Sequence, residues 1–251
     1  MVVTPSEIYD YTKCATCGIL ILIQLVVLYR AITGSKSRFV IKMLVLLLGY
    51  NITNILQNRF RYHNLIVFGV LMFIKDTCFN LSHWFFAYKY YSTARRTPYA
   101  IAGEVVPESI LSCDKWTNRF FYILNTIAVM LDAPTFYIYL TRGSEFWLRM
   151  DLCSWLFVIS LTFISGIYLF IALYKIYKVM SVKNAGSVNI KAMTVHAMSF
   201  GLYMFSLVCS LAIYGFVSET NGLNMYAWTF NDICAFASQI LLSMILWDLA
   251  K

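Results

Sequence analysis

Apolar residues come in seven long runs that together occupy most of the 251-residue chain. A membrane-crossing helix needs about 20 mainly apolar residues, and each run reaches that length. Short polar stretches, several of them rich in lysine and arginine, separate the runs. The pattern predicts an all-α, polytopic membrane protein, a single domain formed by a bundle of seven transmembrane helices. The predicted spans, numbered 1 to 7, are 14–33, 39–58, 64–90, 119–141, 148–174, 192–217 and 225–247.

Polar side chains recur inside these spans at intervals of three and four residues, which places them on one face of a helix. Such rows face the interior of a bundle, where neighbouring helices supply hydrogen-bond partners. They suit helix packing and a permeation path equally, so their spacing leaves both interpretations open. The predicted polar core comprises Asn54 in span 2, Asn80 and His83 in span 3, His196, Tyr203 and Ser206 in span 6, and Gln239 in span 7.

Ionisable side chains also lie within the spans, where a charge is costly and therefore marks a pair or a site. Lys75 and Asp76 fall near the middle of span 3, Asp132 in span 4 and Asp232 in span 7. We expect either ion pairs that fix helix rotation, Lys75 with Asp132 or Asp232, or a small polar cavity. These four residues are the candidate ligand- or ion-binding positions.

Composition and charge extend this picture to orientation. Hydrophobic residues make up 60% of the chain and charged residues 13%, with a mean hydropathy of +0.68, so no sizeable soluble domain remains. Most of the 20 lysines and arginines lie in the loops after spans 1, 3 and 5. Because basic loops stay on the cytoplasmic side, we expect the N-terminus outside and the C-terminus inside.

The same charge pattern predicts partners. A basic inner rim attracts anionic lipid headgroups, in addition to the contact of the spans with the bilayer. We expect no nucleic-acid partner, because no basic patch sits on a soluble module. The longest inner connection, 92–118, is predicted as a loop with a short interfacial helix after Pro107. The pattern specifies an integral membrane location but not which membrane.

Motifs for catalysis are missing from the sequence. There is no nucleophile–base pair with an orienting group, no glycine-rich phosphate loop and no metal-binding spacing. Cys14 and Cys17 form a Cys-x-x-Cys pair, but no second pair follows to complete a zinc site. We therefore expect a protein without enzymatic activity, cofactor or metal.

Seven spans with an external N-terminus is also the layout of G-protein-coupled receptors and microbial rhodopsins. Span 3 ends in Ala87-Tyr-Lys-Tyr-Tyr91 instead of the receptors' acidic-Arg-Tyr triplet, and Phe236 stands where rhodopsins carry the retinal lysine. Spans 3 and 7 share an Asp-x-Cys-x-x-x-Ser pattern, which is similar to a parallel repeat of the SWEET-transporter type. Spans 1 and 5 do not align in the same way, so we assign no family.

Three functions follow from these observations. The favoured one is a subunit that packs laterally with copies of itself or with other membrane subunits, since 17% of the residues are aromatic and little of the chain is soluble. The first alternative is a receptor-like sensor with an outward-facing polar pocket. The second alternative is a transporter or channel for a small solute or an ion.

Overall fold

The computed structural model describes residues 5–34, 37–60, 64–183 and 223–250, together with scattered helical positions between 194 and 209. Within this part the chain forms helices and no strands, which confirms the predicted all-α class. The long helices are α1 Pro5–Thr33, α2 Arg38–Phe60, α3 Leu65–Ala102, α4 Glu108–Arg142, α5 Glu145–Lys183 and α6 Leu223–Leu249.

All six of these helices are long and apolar enough to cross a membrane. By length and composition, the chain is therefore a multi-pass membrane protein. The helix α6 corresponds to predicted span 7, whereas predicted span 6 (192–217) lies mostly outside the described residues. The count of seven spans and the orientation of the bundle consequently stay predictions.

Four helices extend well beyond the predicted spans, α1 and α4 at their starts and α3 and α5 at their ends. Residues 92–118, which we predicted as a loop with an interfacial helix, belong instead to the last part of α3 and the first part of α4, and only 103–107 connect them. Hydropathy marks the stretch of a helix that lies in hydrocarbon and is blind to polar turns that continue the same helix. The predicted loop was thus wrong, although a helix does begin directly after Pro107, at Glu108.

A buried carboxylate holds the extended ends of α3 and α4 together. Asp114 of α4 is 1% exposed and accepts hydrogen bonds from Arg95 Nη1 at 2.9 Å and Arg96 Nη2 at 3.0 Å, both on α3. Ser92 Oγ donates to the same carboxylate at 3.2 Å, and the Tyr88 hydroxyl donates to the Asp114 carbonyl at 2.9 Å. Partners of this kind allow the polar segment to remain helical.

The ends of α3 and α4 follow ordinary capping rules. The Asn64 side chain accepts hydrogen bonds from the backbone N–H groups of Ile66 and Val67, both at 3.1 Å, and so starts α3. Gly103 and Gly143 end α3 and α4 with φ values of +70° and +61°. Glycine occupies these positions because it reaches the left-handed region without a steric penalty.

By their internal contacts the helices fall into two compact units, one with α1, α2 and α6 and the other with α3, α4 and α5. This grouping differs from the one expected for a parallel repeat of the SWEET-transporter type, in which spans 1–3 form one unit and spans 5–7 the other. In the first unit, α1 packs against α6. Its buried positions follow intervals of three and four residues: Cys17, Leu20, Gln24, Val27 and Ala31.

The core of the second unit is aromatic. Trp84 of α3 stacks on Phe121 of α4 with 4.0 Å between ring centroids and 3° between planes. Tyr168 of α5 meets the same indole edge-on at 5.2 Å. The indole Nε1 donates to Asn118 Oδ1 at 2.8 Å, so the one polar atom of this side chain is satisfied. This contact fixes the rotation of the three helices and, with it, the direction of their polar residues.

Candidate functional site

Four ionisable side chains gather between α3, α4 and α5, and we call them the carboxyl cluster: Lys75, Asp76, Asp132 and Asp151. Lys75 Nζ lies 3.5 Å from Asp76 Oδ1, an ion pair between sequence neighbours on α3. Asp132 lies close enough to Asp76, Asp151 and Lys75 to interact electrostatically with each of them. The cluster therefore sets three carboxyl groups against one ammonium group, inside segments that can cross a membrane.

Asp132 is the deepest member of the cluster, with 1% of the residue exposed. Its Oδ1 accepts a hydrogen bond from Ser154 Oγ of α5 at 3.1 Å. The Thr135 hydroxyl lies 2.9 Å from the same Ser154 oxygen and links the two helices further. One side of the Asp132 carboxyl group is thus held in place by hydroxyl groups.

The other side of this carboxyl group is unsatisfied. Within the described part of the chain, Asp132 Oδ2 and Asp151 Oδ1 are buried and have no hydrogen-bond partner. Buried polar atoms in native proteins are almost always partnered, so each exception asks for an explanation such as a bound proton, ion or water. Two unsatisfied carboxyl oxygens in one cluster indicate that a proton, an ion or a water molecule binds there.

A row of uncharged polar side chains continues from the cluster along the same three helices. Asn80 lies one turn after Asp76 on α3 and donates to Asn125 Oδ1 of α4 at 3.0 Å. Thr162 of α5 donates to Asn80 Oδ1 at 2.6 Å. The described polar interior therefore extends about one helical turn along α3 from the cluster and involves all three helices.

The first unit contains a separate set of amides, which we call the amide cluster: Gln24, Asn51 and Gln239, from α1, α2 and α6. Asn51 Nδ2 lies 2.8 Å from Gln239 Oε1 and 3.2 Å from Gln24 Oε1. Asn51 Oδ1 is buried and without a hydrogen-bond partner in the described chain. These amides join three helices in the way expected of a packing contact.

A small cavity adjoins the amide cluster and is lined by Asn51, Gln239, Lys13 and Asp232 among others, with a volume of about 20 Å³. Lys13 Nζ and Asp232 Oδ2 are 3.7 Å apart. A cavity of this size holds about one water molecule, and its polar lining suits one. The arrangement is too small for any organic ligand.

The structure thus brings together three of the four predicted candidate residues. Lys75, Asp76 and Asp132 belong to the carboxyl cluster, whereas Asp232 pairs with Lys13. Lys75 has its ion pair with Asp76 rather than with Asp132 or Asp232, because the sequence neighbour is nearest.

The predicted polar core divides between the two units. Asn80 and Gln239 join three helices each, and Asn54 donates to Cys17 Sγ at 3.4 Å. His83 is 4% exposed and packs edge-on against Phe79 at 4.5 Å, which is ordinary helix packing. His196, Tyr203 and Ser206 lie outside the described residues.

Sequence reasoning missed three side chains that complete the site in the second unit, namely Asn125, Ser154 and Thr162. A signal for Asn125 was available, since it precedes Asp132 by seven residues and so shares its helix face. Single serines and threonines in apolar helices carry no such signal, because many of them bond only to their own backbone, as Ser160 does at 2.6 Å.

Among the described residues, no group of three or more His, Cys, Asp or Glu side chains is arranged so that it could hold a metal ion, the carboxyl cluster included. The seven cysteines are free, and the predicted Cys-x-x-Cys pair lies on α1, where Asn58 Nδ2 is 3.7 Å from Cys14 Sγ. Comparison with protein-family models, curated proteins and solved structures finds no match to this chain, so the geometry of its own residues carries the functional argument.

Proposed function

We propose that this multi-pass membrane protein binds a proton at the carboxyl cluster and transports it or responds to it. The supporting observation is Asp132, a carboxyl group 1% exposed in a membrane-crossing helix, with one oxygen that lacks a partner in the described chain. Intramembrane carboxyl groups are rare and commonly belong to ion pathways or proton relays. Transport corresponds to the transporter alternative drawn from the sequence, and a response corresponds to the sensor alternative.

A purely structural role for Asp132 fits less well. A carboxylate kept only to fix helix rotation should have both oxygens satisfied, because an unsatisfied buried oxygen costs about 1–3 kcal/mol. Asp114 shows what such a structural carboxylate looks like in this protein, with two arginines and a serine around it. At Asp132, by contrast, the described donor is the Ser154 hydroxyl on Oδ1, and Oδ2, which has no partner in the described chain, can carry a proton.

The composition of the cluster also favours a positively charged ligand. Three carboxyl groups share one ammonium group, and that ammonium is already 3.5 Å from Asp76. In a low-dielectric surrounding, like charges at short range repel strongly. Binding of a proton relieves this repulsion, whereas an anion would increase it.

The test compares Asp132→Asn with the wild type in purified, reconstituted protein. We expect the wild type to gain thermal stability with falling pH, since a ligand that binds the folded state stabilises it. A gain with rising Na⁺ or K⁺ at fixed pH and ionic strength, without a pH response, would contradict a proton site. Asp132→Asn keeps the shape but removes the charge, and should lose the response.

Glu145→Gln serves as the matched control, because it removes a carboxylate from an exposed position on α5. Flux of the same ion into proteoliposomes then separates transport from sensing. If Asp132→Asn responds to pH as the wild type does, the proposed site is wrong.

A second candidate is the laterally packed subunit predicted from the sequence. The supporting observation concerns α1. In its apolar 18-residue stretch, 28% of the residues are buried, the lowest share among the six described helices. Its exposed side includes Leu22, Val26 and Tyr29. Since lipid tails are as apolar as these side chains, exposure alone does not choose between lipid and protein. An oligomer in nanodiscs that dissociates on Tyr29→Ala would support this candidate. The receptor-like role and the binding of anionic lipids stay predictions.

A further inference from the structure

An apolar groove runs along the second unit between the first turns of α3 and the last turns of α4. Its volume is about 470 Å³, and its lining residues include Gly69, Val70 and Phe73 of α3 and Met130, Pro134 and Tyr137 of α4. From Ile66 to Phe73 the α3 wall covers about 10 Å along the helix axis. None of the described residues that line the groove is charged.

The groove continues the interface between α3 and α4, whose residues are buried further along α3. Phe73, Thr77, Asn80, Trp84 and Ala87 follow one another at intervals of four and three residues and so form one stripe of α3. At Asn80, Trp84 and Ala87 this stripe is buried, with Asn80 and Trp84 bonded to α4. Towards the start of α3 the same stripe lines the groove, so the neighbouring helix no longer covers it.

A proline in α4 and a glycine in α3 shape the walls of the groove. Pro134 has no N–H to donate to the Met130 carbonyl, four residues earlier, which weakens α4 at the positions that line the groove. Gly69 has no side chain, and a Cβ added there would meet nothing within 4 Å. The Cβ of a larger residue at position 69 would therefore enter the groove without displacing protein atoms.

Both walls lie in segments that can cross a membrane, Ile66–Ala102 and Glu108–Tyr139. Within hydrocarbon, water does not fill an apolar groove, and an empty groove forfeits the dispersion contacts of its lining. A volume of 470 Å³ falls within the range of specific small-molecule sites, about 300–1,000 Å³. We propose that the groove binds the acyl chain of one membrane lipid. This site is separate from the carboxyl cluster and does not rest on its proposed role.

The experiment uses the full chain in nanodiscs that contain a phosphatidylcholine with a photoreactive diazirine on its acyl chain. After irradiation, the labelled peptides are located by mass spectrometry. We expect labelling concentrated on 66–73 and 130–137, above the level on the exposed face of α1. In Gly69→Leu, labelling of both groove segments should fall at least threefold, because the new side chain occupies the space.

The matched control is Gly18→Leu on α1, another helical glycine at which an added Cβ meets nothing within 4 Å. It should leave groove labelling unchanged, and the melting temperatures of both variants report on folding. If Gly69→Leu does not fold, Val70→Phe on the same wall, at a position 54% exposed, replaces it. Groove labelling equal to that of α1, or unchanged in the filled variant, would overturn the lipid site. A crosslink between two protein copies at these segments would overturn it as well.

Discussion

At the scale of single residues, Asn80 illustrates how the second unit uses polar side chains. Its amide group donates to Asn125 and its oxygen accepts from Thr162, so that one side chain connects three helices. The position of Asn80 on an inward face followed from the spacing of Asp76, Asn80 and His83. Its partners did not follow, because they are 45 and 82 residues away in sequence and depend on the relative depth of three helices.

Removal of the threonine from this network should destabilise the protein measurably. Thr162→Val keeps the shape but leaves Asn80 Oδ1 without its 2.6 Å hydrogen bond. We expect a loss of about 1 kcal/mol, since hydrogen bonds between membrane helices average roughly 0.6 and reach about 1.7 kcal/mol. Reversible unfolding in mixed micelles measures this difference.

Thr126→Val is the control for that measurement. Thr126 is an exposed threonine of α4 that bonds only to the Tyr122 carbonyl of its own helix, at 2.9 Å, among the described contacts. Its substitution should change the free energy of unfolding by a few tenths of a kcal/mol at most. Equal effects of the two substitutions would show that the network around Asn80 adds nothing to stability.

At the scale of whole elements, the lengths of α3 and α4 were the main difference between expectation and structure. Hydropathy identified the apolar part of each helix, but the predicted spans ended at 90 and began at 119, at the first polar turns. The continuation of both helices depends on Asp114, Arg95 and Arg96, which neutralise one another across the helix pair. Such a pairing joins residues about 18 positions apart, and no local pattern in the sequence reveals it.

Asp114→Asn should loosen this end of the helix pair. The substitution removes the charge that two arginines share, while Asp114 itself is 1% exposed. We expect a loss of about 1–3 kcal/mol, below the cost of breaking a fully buried pair, because Arg96 is 42% exposed and partly screened by solvent. Hydrogen–deuterium exchange should also rise selectively in residues 92–118.

The comparison for this prediction is Glu145→Gln, which breaks the exposed pair of Glu145 with Arg149 on α5. Both partners are 75% exposed, so the change in unfolding free energy should stay within about 0.5 kcal/mol. An Asp114→Asn variant as stable as Glu145→Gln, with unchanged exchange, would contradict the role given to Asp114.

At the scale of the whole molecule, orientation remains the prediction with the widest consequences. It rests on the distribution of lysines and arginines, and it places the connection between α3 and α4 in the cytoplasm. Cys113 lies at the beginning of α4 and is exposed, so it reports on this side of the membrane.

In intact cells, a membrane-impermeant maleimide should therefore leave Cys113 unlabelled and should label it after permeabilisation. An epitope tag before Met1 should show the opposite behaviour and be accessible in intact cells. The Cys113→Ser variant shows which part of the maleimide labelling comes from Cys113. Labelling of Cys113 from outside would reverse the predicted topology and, with it, the side from which the carboxyl cluster is reached.

The amino-acid sequence by itself determined that the chain is helical and that six of the described helices are long and apolar enough to cross a membrane. Those properties depend on hydropathy and on helical periodicity, which are local. Only the tertiary structure decided the partners: Ser154 for Asp132, Lys13 for Asp232, and two arginines for Asp114. Partner choice depends on the rotation and depth of helices far apart in the chain, and large aromatic contacts such as that of Trp84 with Phe121 set these.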